Sequence, residues 1–225
     1  MAISVNKYKN IIFDLGGVLL NIDYSLTVKG FSDLGLYSFN TLFSQARQNQ
    51  LFDLYEKGLI TSENFRKQLK TTFLHSGNNQ MGANNQITNT TIDAAWNAML
   101  LDLPMERLRL LEKLKTTHRT FLLSNTNDIH INTFNMYLKK TFEIDNLSAY
   151  FEKMYLSYKV GVRKPDAEIF ELVLSENKLD PKETLFIDDS IQHIEGAKKL
   201  GIQTYWLDVK KETLVDLEIW RNEEL

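Results

Sequence analysis

The stretch Asn10-Ile-Ile-Phe-Asp-Leu-Gly-Gly-Val-Leu-Leu20 decides the fold. Ile11, Ile12 and Phe13 form a short apolar run that ends on a carboxylate, Asp14, and two glycines follow. A run that is apolar on consecutive residues reads as a strand buried on both faces, the habit of parallel sheets covered by helices. Thr120-Phe-Leu-Leu-Ser124, Thr184-Leu-Phe-Ile-Asp188 and Gln203-Thr-Tyr-Trp-Leu207 repeat the pattern, each followed by polar residues and then a helical period. Buried strands alternating with helices predict an α/β fold with a doubly wound parallel sheet, whose ligands bind outside the carboxyl ends of the strands. Asp14, Ser124 and Asp188 fall at such ends.

The helices between these strands carry their own marks. Pro165 stands where a first helical turn is expected, Asp166 and Glu168 favour the positive end of its dipole, and Ile169 and Val173 follow on one face. Ile191 to Leu200 reads as a second helix, closed by Gly201. Residues 23–104 have a different texture, helical throughout, and are expected to form an insertion. Within it Thr61 is a candidate N-cap, Ile60 and Phe65 a hydrophobic staple, and Phe65, Leu69 and Phe73 one apolar face. Ile92, Ala95, Trp96, Met99 and Leu100 make a second stripe, read as core. His75 to Thr91, rich in Asn, Gln and Gly, is expected to be a surface loop.

With 225 residues the chain is long enough for one α/β domain carrying a small insertion. Its 26 basic and 29 acidic residues give a net charge of −3 with no block of like charge, so neither a nucleic-acid arm nor a polybasic membrane anchor is expected. The absence of cysteine excludes disulfides, thiolate metal sites and a cysteine nucleophile, and fits a reducing, cytoplasmic setting. Lys7 and Lys9 precede an apolar run as in a signal peptide, but Asp14 interrupts it and no small-residue cleavage pattern follows. No run of 18 apolar residues exists to span a membrane.

Singly, such polar residues carry little: an Asp after a strand is most often a cap or turn former, a Ser there a helix cap, and a Lys beside a helix start a solvated charge. Together they converge on one crevice. A carboxylate that attacks phosphorus must approach negative oxygens, so its site needs a cation and hydrogen-bond donors. Asp14, Asp188 and Asp189 supply carboxylates suited to Mg²⁺, Ser124 and Asn125 suit phosphate oxygens, and Lys164 suits the remaining charge. Gly16 and Gly17 let the backbone turn sharply close to a ligand.

The sequence resembles the haloacid dehalogenase (HAD) superfamily, whose motifs appear in order as Phe13-Asp-Leu-Gly-Gly-Val-Leu19, Leu122-Leu-Ser-Asn-Thr-Asn127, Gly161-Val-Arg-Lys-Pro-Asp166 and Leu185-Phe-Ile-Asp-Asp-Ser190. The resemblance covers nearly the whole chain. It implies a Rossmann-like core of residues 1–22 and 105–225, with residues 23–104 as an all-helical C1 cap. Ser124 to Asn127 and Gly161 to Ile169 look most like bacterial sugar-phosphate phosphatases that act on glucose 1-phosphate. By that resemblance Asp14 is the nucleophile and a Mg²⁺ ligand, the Gly16 carbonyl and Asp189 are further ligands, and Asp188 reaches the ion directly or through water. Ser124 and Lys164 hold the phosphate. The implied partner is a small phosphate ester, on a monomer or weak homodimer.

Position 16 departs from the family pattern. Most HAD phosphatases carry a second Asp there, which protonates the leaving oxygen and later activates water; Gly16 has no side chain for either task, and such help is typically worth about 10²- to 10⁴-fold. A sugar 1-phosphate, leaving as a comparatively acidic alcohol, suits such a site. Asp23, His130 and water are the candidates for the missing acid. Three other readings are open: a non-catalytic phosphate-binding or interaction module, a 2-haloacid dehalogenase, and a phosphonatase using a cap lysine such as Lys57, Lys67 or Lys70.

Overall fold

A computed structural model of the chain describes residues 5–37, 39, 50–75, 87–217 and 220. Strands β1 (Asn10–Phe13), β2 (Arg119–Ser124), β3 (Lys153–Leu156), β4 (Thr184–Asp188) and β5 (Gln203–Trp206) form one sheet in the order β3-β2-β1-β4-β5. All neighbours are parallel, with Ile11 opposite Thr120 on one side and Leu185 on the other. Four of the strands are the apolar runs of the sequence. The fifth, β3, was not legible: it is a four-residue strand at the sheet edge that starts at exposed Lys153, and only Tyr155 and Leu156 are buried.

Between β1 and β2 run α1 (Tyr24–Asp33), α2 (Gln50–Glu56), α3 (Ser62–His75), α4 (Asn89–Asn97) and α5 (Met105–Leu114). Helix α6 (Asp128–Phe142) follows β2, α7 (Ser157–Val160) follows β3, α8 (Ala167–Asn177) precedes β4, and α9 (Ile191–Lys198) links β4 to β5. Successive strand residues face opposite ways, and the core divides accordingly. Ile11, Phe13, Leu122 and Ile187 pack with Leu108 and Leu111 of α5 and Phe134 and Leu138 of α6. Ile12, Phe121, Leu123 and Phe186 pack on the other face with Ile169, Phe170 and Val173 of α8 and Ile194 and Ala197 of α9. Both faces are thus covered, which is why these strands read as unbroken apolar runs.

Helices α1–α4 build a separate core around Phe31, Phe39, Phe52, Phe65 and Trp96. Gly30 lets α1 approach α4 closely, since a Cβ there would lie 3.0 Å from the Ala95 Cα. Thr61 is the expected cap of α3, its Oγ1 accepting from Asn64 N at 3.3 Å, and Phe65 and Leu69 are buried. The side chain of Phe73 lies outside the described residues, as does 76–86 of the expected loop. The end of that loop is corrected: Thr88 and Thr91 form a reciprocal capping box, and α4 begins at Asn89. These two threonines serve a helix start, where orphan N–H groups require polar partners. Similarly, α8 starts at Ala167, two residues after Pro165, with Asp166 as N-cap.

Candidate active site

From β1 the chain steps to β2 and β3 on one side and then to β4 and β5 on the other. The order therefore reverses between β1 and β4, and a crevice opens beyond their carboxyl ends. Asp14 follows β1, and its N–H extends the ladder by donating to the Ile187 carbonyl at 3.0 Å. The chain then turns back tightly, with Gly17 N donating to the Leu20 carbonyl at 2.8 Å. Gly17 has φ +80, and a Cβ on it would lie 2.5 Å from Asp189 Oδ2. This glycine is demanded both by its backbone and by the carboxylate against it.

Lys164 is fully buried, with Nζ 2.8 Å from Asp14 Oδ1 and 2.7 Å from Asp188 Oδ2 and lying over the Phe186 ring. Asn125 fixes it: its Oδ1 accepts from Lys164 N at 2.9 Å, and its Nδ2 donates to the Lys164 carbonyl at 2.8 Å. The Asn125 side chain, expected on the phosphate, thus positions the lysine. Ser124 ends β2, buried, in the cleft wall. Asp188, also fully buried, accepts from Ser190 N at 2.8 Å and lies 3.0 Å from His193 Nδ1. Asp14, Asp188 and Asp189 each offer an oxygen within 4.8 Å of the others.

Burial pushes the Asp14 carboxyl up to about 6, an effect that the Lys164 charge offsets only in part and the Asp188 charge adds to. Burial also opposes ionisation of Asp188, but Lys164 and His193 outweigh it and hold that carboxyl below the ordinary range. Burial would lower the Lys164 ammonium, yet the two carboxylates carry it above its usual value. The cluster without further ligand is therefore one strongly held cation between two carboxylates, of which Asp14 is the more readily protonated.

The structure also brings in residues that the sequence did not single out. Arg163 reaches α2, with Nη1 3.1 Å from Asp53 Oδ1 and Nη2 3.1 Å from Glu56 Oε2. Tyr24, Glu56, Arg163 and His193 all line the cleft. The Tyr24 hydroxyl is held well above 10 by burial and then by Asp189, Glu56, Asp14 and Asp188. His193 sits in the first turn of the helix after Asp188, a proximity readable from the sequence; the reach of α2 to Arg163 is not, because it spans some hundred residues.

Two candidates for the missing acid are placed differently. Asp23 caps α1, accepting from Ser25 N at 2.9 Å and Ser25 Oγ at 2.6 Å, and these bonds lower its pKa. His130 lines the cleft, but burial drops its pKa to about 3, so at neutral pH it is a neutral imidazole and no general acid.

The donor set fits Mg²⁺: three carboxylates with neither sulfur nor nitrogen among them, one of them kept anionic by its neighbours. A doubly wound sheet presenting such carboxylates and a buried lysine at its switch point defines a class of α/β hydrolytic and phosphoryl-transfer proteins. The haloacid dehalogenase-like hydrolase family model matches residues 8–201, and the chain belongs to that family. It is 32% identical over 197 residues to D-ribitol-5-phosphate phosphatase of Bacteroides thetaiotaomicron, covering 88% of this chain and 90% of that protein. Among solved structures, a HAD family enzyme of B. thetaiotaomicron in complex with magnesium and inorganic phosphate superposes with a TM-score of 0.75 at 37% identity, covering 91% of this chain and 96% of the other. A HAD-like family hydrolase of Porphyromonas gingivalis gives 0.82 at 27% identity, covering 97% and 100%.

Proposed function

We propose that this chain hydrolyses a small sugar or polyol phosphate with Mg²⁺ as cofactor, through an aspartyl-phosphate on Asp14, beneath a helical cap formed by residues 23–104. The coarser statement is plain: the chain is a HAD-like phosphoric monoester hydrolase. The observation that carries the finer reading is the buried Lys164 ammonium between Asp14 and Asp188, with Asp189 beside them.

Asp14, Asp188 and Asp189, with the Gly16 carbonyl, would hold the cation, which supplies charge neutralisation for an incoming phosphate. Lys164, exchanging part of its hold on the carboxylates for phosphate oxygens, and Ser124 would orient the ester. A free Asp14 oxygen then forms a bond to phosphorus as the ester P–O bond breaks and the leaving oxygen takes a proton from water. Water next attacks the same phosphorus, its released proton neutralising the hydroxide left by the first step, the Asp14 O–P bond breaks, and inorganic phosphate leaves with the carboxylate restored. With Gly16 in place of an acid, and with Asp23 and His130 both poorly disposed to donate, water is the reading for the proton source.

Dehalogenation and phosphonate cleavage draw no support. The carboxylate cluster is a cation site that attack on carbon does not need. Lys57 is engaged with Asp166 at 3.2 Å and Asp53 at 3.4 Å, and these partners raise its pKa against the opposing effect of burial, the reverse of what a Schiff base requires. Lys67 is exposed, and Lys70 donates to Asn89 Oδ1 at 2.7 Å.

The experiment is phosphate release from p-nitrophenyl phosphate, glucose 1-phosphate and D-ribitol 5-phosphate, with Mg²⁺ and with EDTA. Metal-dependent release, greatest on a polyol or sugar phosphate, is the expected result. Absence of release from every ester, with Mg²⁺ bound, would favour a non-catalytic phosphate-binding module instead.

A further inference from the structure

Beyond the phosphate, the cleft must receive the rest of the substrate, and one residue of its wall is built as a fixed acceptor. His130 lies in the first turn of α6, its N–H donating to the capping Asn127 Oδ1 at 3.0 Å. One face of its imidazole stacks on Trp96, with centroids 4.7 Å apart and planes 16° from parallel. Its Nδ1 lies 2.8 Å from Asn97 Oδ1, while Asn97 Nδ2 donates to Thr133 Oγ1 at 2.9 Å. A carboxamide whose nitrogen serves Thr133 turns its oxygen to the imidazole, so Nδ1 carries the proton and Nε2 the lone pair. Nε2 has no hydrogen-bond partner among the described residues, nor is it among the described polar atoms sealed from solvent without one. His130 lines the cleft together with Ser124, Asn125 and Thr126, and with one ring face on Trp96 and Nδ1 on Asn97, the Nε2 edge is the polar edge of the ring left for a ligand.

Burial keeps this imidazole neutral across the physiological range, so the acceptor does not become a donor. Much of the neighbouring wall, from Ile22, Met99, Leu100 and Phe134, offers no polar group to a hydroxyl. An unpaired acceptor fixed in such a wall penalises an apolar ligand and rewards one that donates to it.

We infer that His130 Nε2 accepts a hydrogen bond from a hydroxyl on the body of the substrate, and so selects polyol and sugar phosphates over esters with apolar bodies. The inference deepens the phosphatase reading and rests on it.

The test compares His130→Phe and His130→Gln with the wild-type chain on D-ribitol 5-phosphate and on phenyl phosphate, which has no hydroxyl on its body. His130→Phe keeps the stack on Trp96 and removes the acceptor; His130→Gln restores an acceptor. The expected result is a loss of kcat/KM at least about tenfold greater on the pentitol phosphate than on phenyl phosphate, carried mainly by KM and partly recovered in His130→Gln. Equal losses on both esters, or none on either, overturn the inference. Turnover and calorimetric binding together separate the two readings: if the wild-type chain, with Mg²⁺ bound, releases phosphate from neither of these esters nor from p-nitrophenyl phosphate or glucose 1-phosphate, the phosphatase reading fails. In that case weaker binding of D-ribitol 5-phosphate, but not of inorganic phosphate, by His130→Phe still supports the hydroxyl contact, and unchanged binding overturns it.

Discussion

Lys164 Nζ sits 2.8 Å from Asp14 Oδ1 with no part of the lysine exposed to solvent. That contact makes the proposed nucleophile and its counter-charge a single unit, completed by Asp188. Removing the cation with Lys164→Met leaves two buried carboxylates facing each other. Breaking a buried pair in this way costs about 3–5 kcal/mol, so the variant should unfold at distinctly lower urea and release no phosphate. A midpoint equal to wild type would show that the ammonium carries no such burden.

Asp14→Asn should behave in the opposite way for stability. The substitution removes a carboxyl that burial already pushes up to about 6, while keeping its shape. Thermal stability should therefore stay close to wild type while turnover falls by about 10³-fold or more. Phosphate release above about one per cent of wild type would exclude covalent catalysis at this residue.

The two adjacent glycines should respond differently. A Cβ on Gly16 meets the Ile22 side chain, nearest at its Cδ1 at 3.1 Å, whereas one on Gly17 meets the Asp189 carboxylate at 2.5 Å from a left-handed backbone. Gly16→Asp should fold and raise turnover of poor leaving groups relative to p-nitrophenyl phosphate, as an added acid would. Gly17→Ala should displace Asp189 and weaken Mg²⁺ binding by about tenfold or more, read by calorimetry.

Arg163 ties α2 to the segment that carries Lys164 through Asp53 and Glu56. A double-mutant cycle of Arg163→Met and Glu56→Gln should give a coupling of about 1–2 kcal/mol in unfolding free energy, because both side chains are largely buried. Additive effects would mean that the helix is held by its apolar packing alone.

His130 gives the chain a pH signature. Burial lowers its folded-state pKa to about 3, against about 6.5 when unfolded. Between those values the unfolded chain binds the extra proton, so the contribution is full above pH 6.5 and is lost as pH falls towards 3. At pH 5 the loss is about 2 kcal/mol. The drop in melting temperature between pH 7.5 and 5 should be smaller in His130→Phe by a corresponding amount; parallel curves for the two proteins would contradict a buried neutral imidazole.

Much of this molecule was legible in its sequence, and for a local reason. Strands β1, β2 and β4 announced themselves because parallel strands covered on both faces must be apolar nearly throughout, and each leads into a polar residue at the crevice, Asp14, Ser124 or Asp188. The edge strand β3 is not legible because half of it meets solvent, and the Thr88–Thr91 cap reads as loop because the polar residues of a helix start resemble those of a turn.

The sequence alone determined the parallel α/β sheet and the family, and pointed to Asp14, Ser124 and Asp188 at strand ends and to Lys164 before a helix, since each depends on a period or motif within a few residues. Only the tertiary structure decided what those residues do to one another: that Asn125 grips Lys164, that Arg163 reaches α2, and that His130 is buried against Trp96 with Nδ1 on Asn97. Those relationships depend on burial and on contacts between segments far apart in the chain, and local sequence carries no record of either.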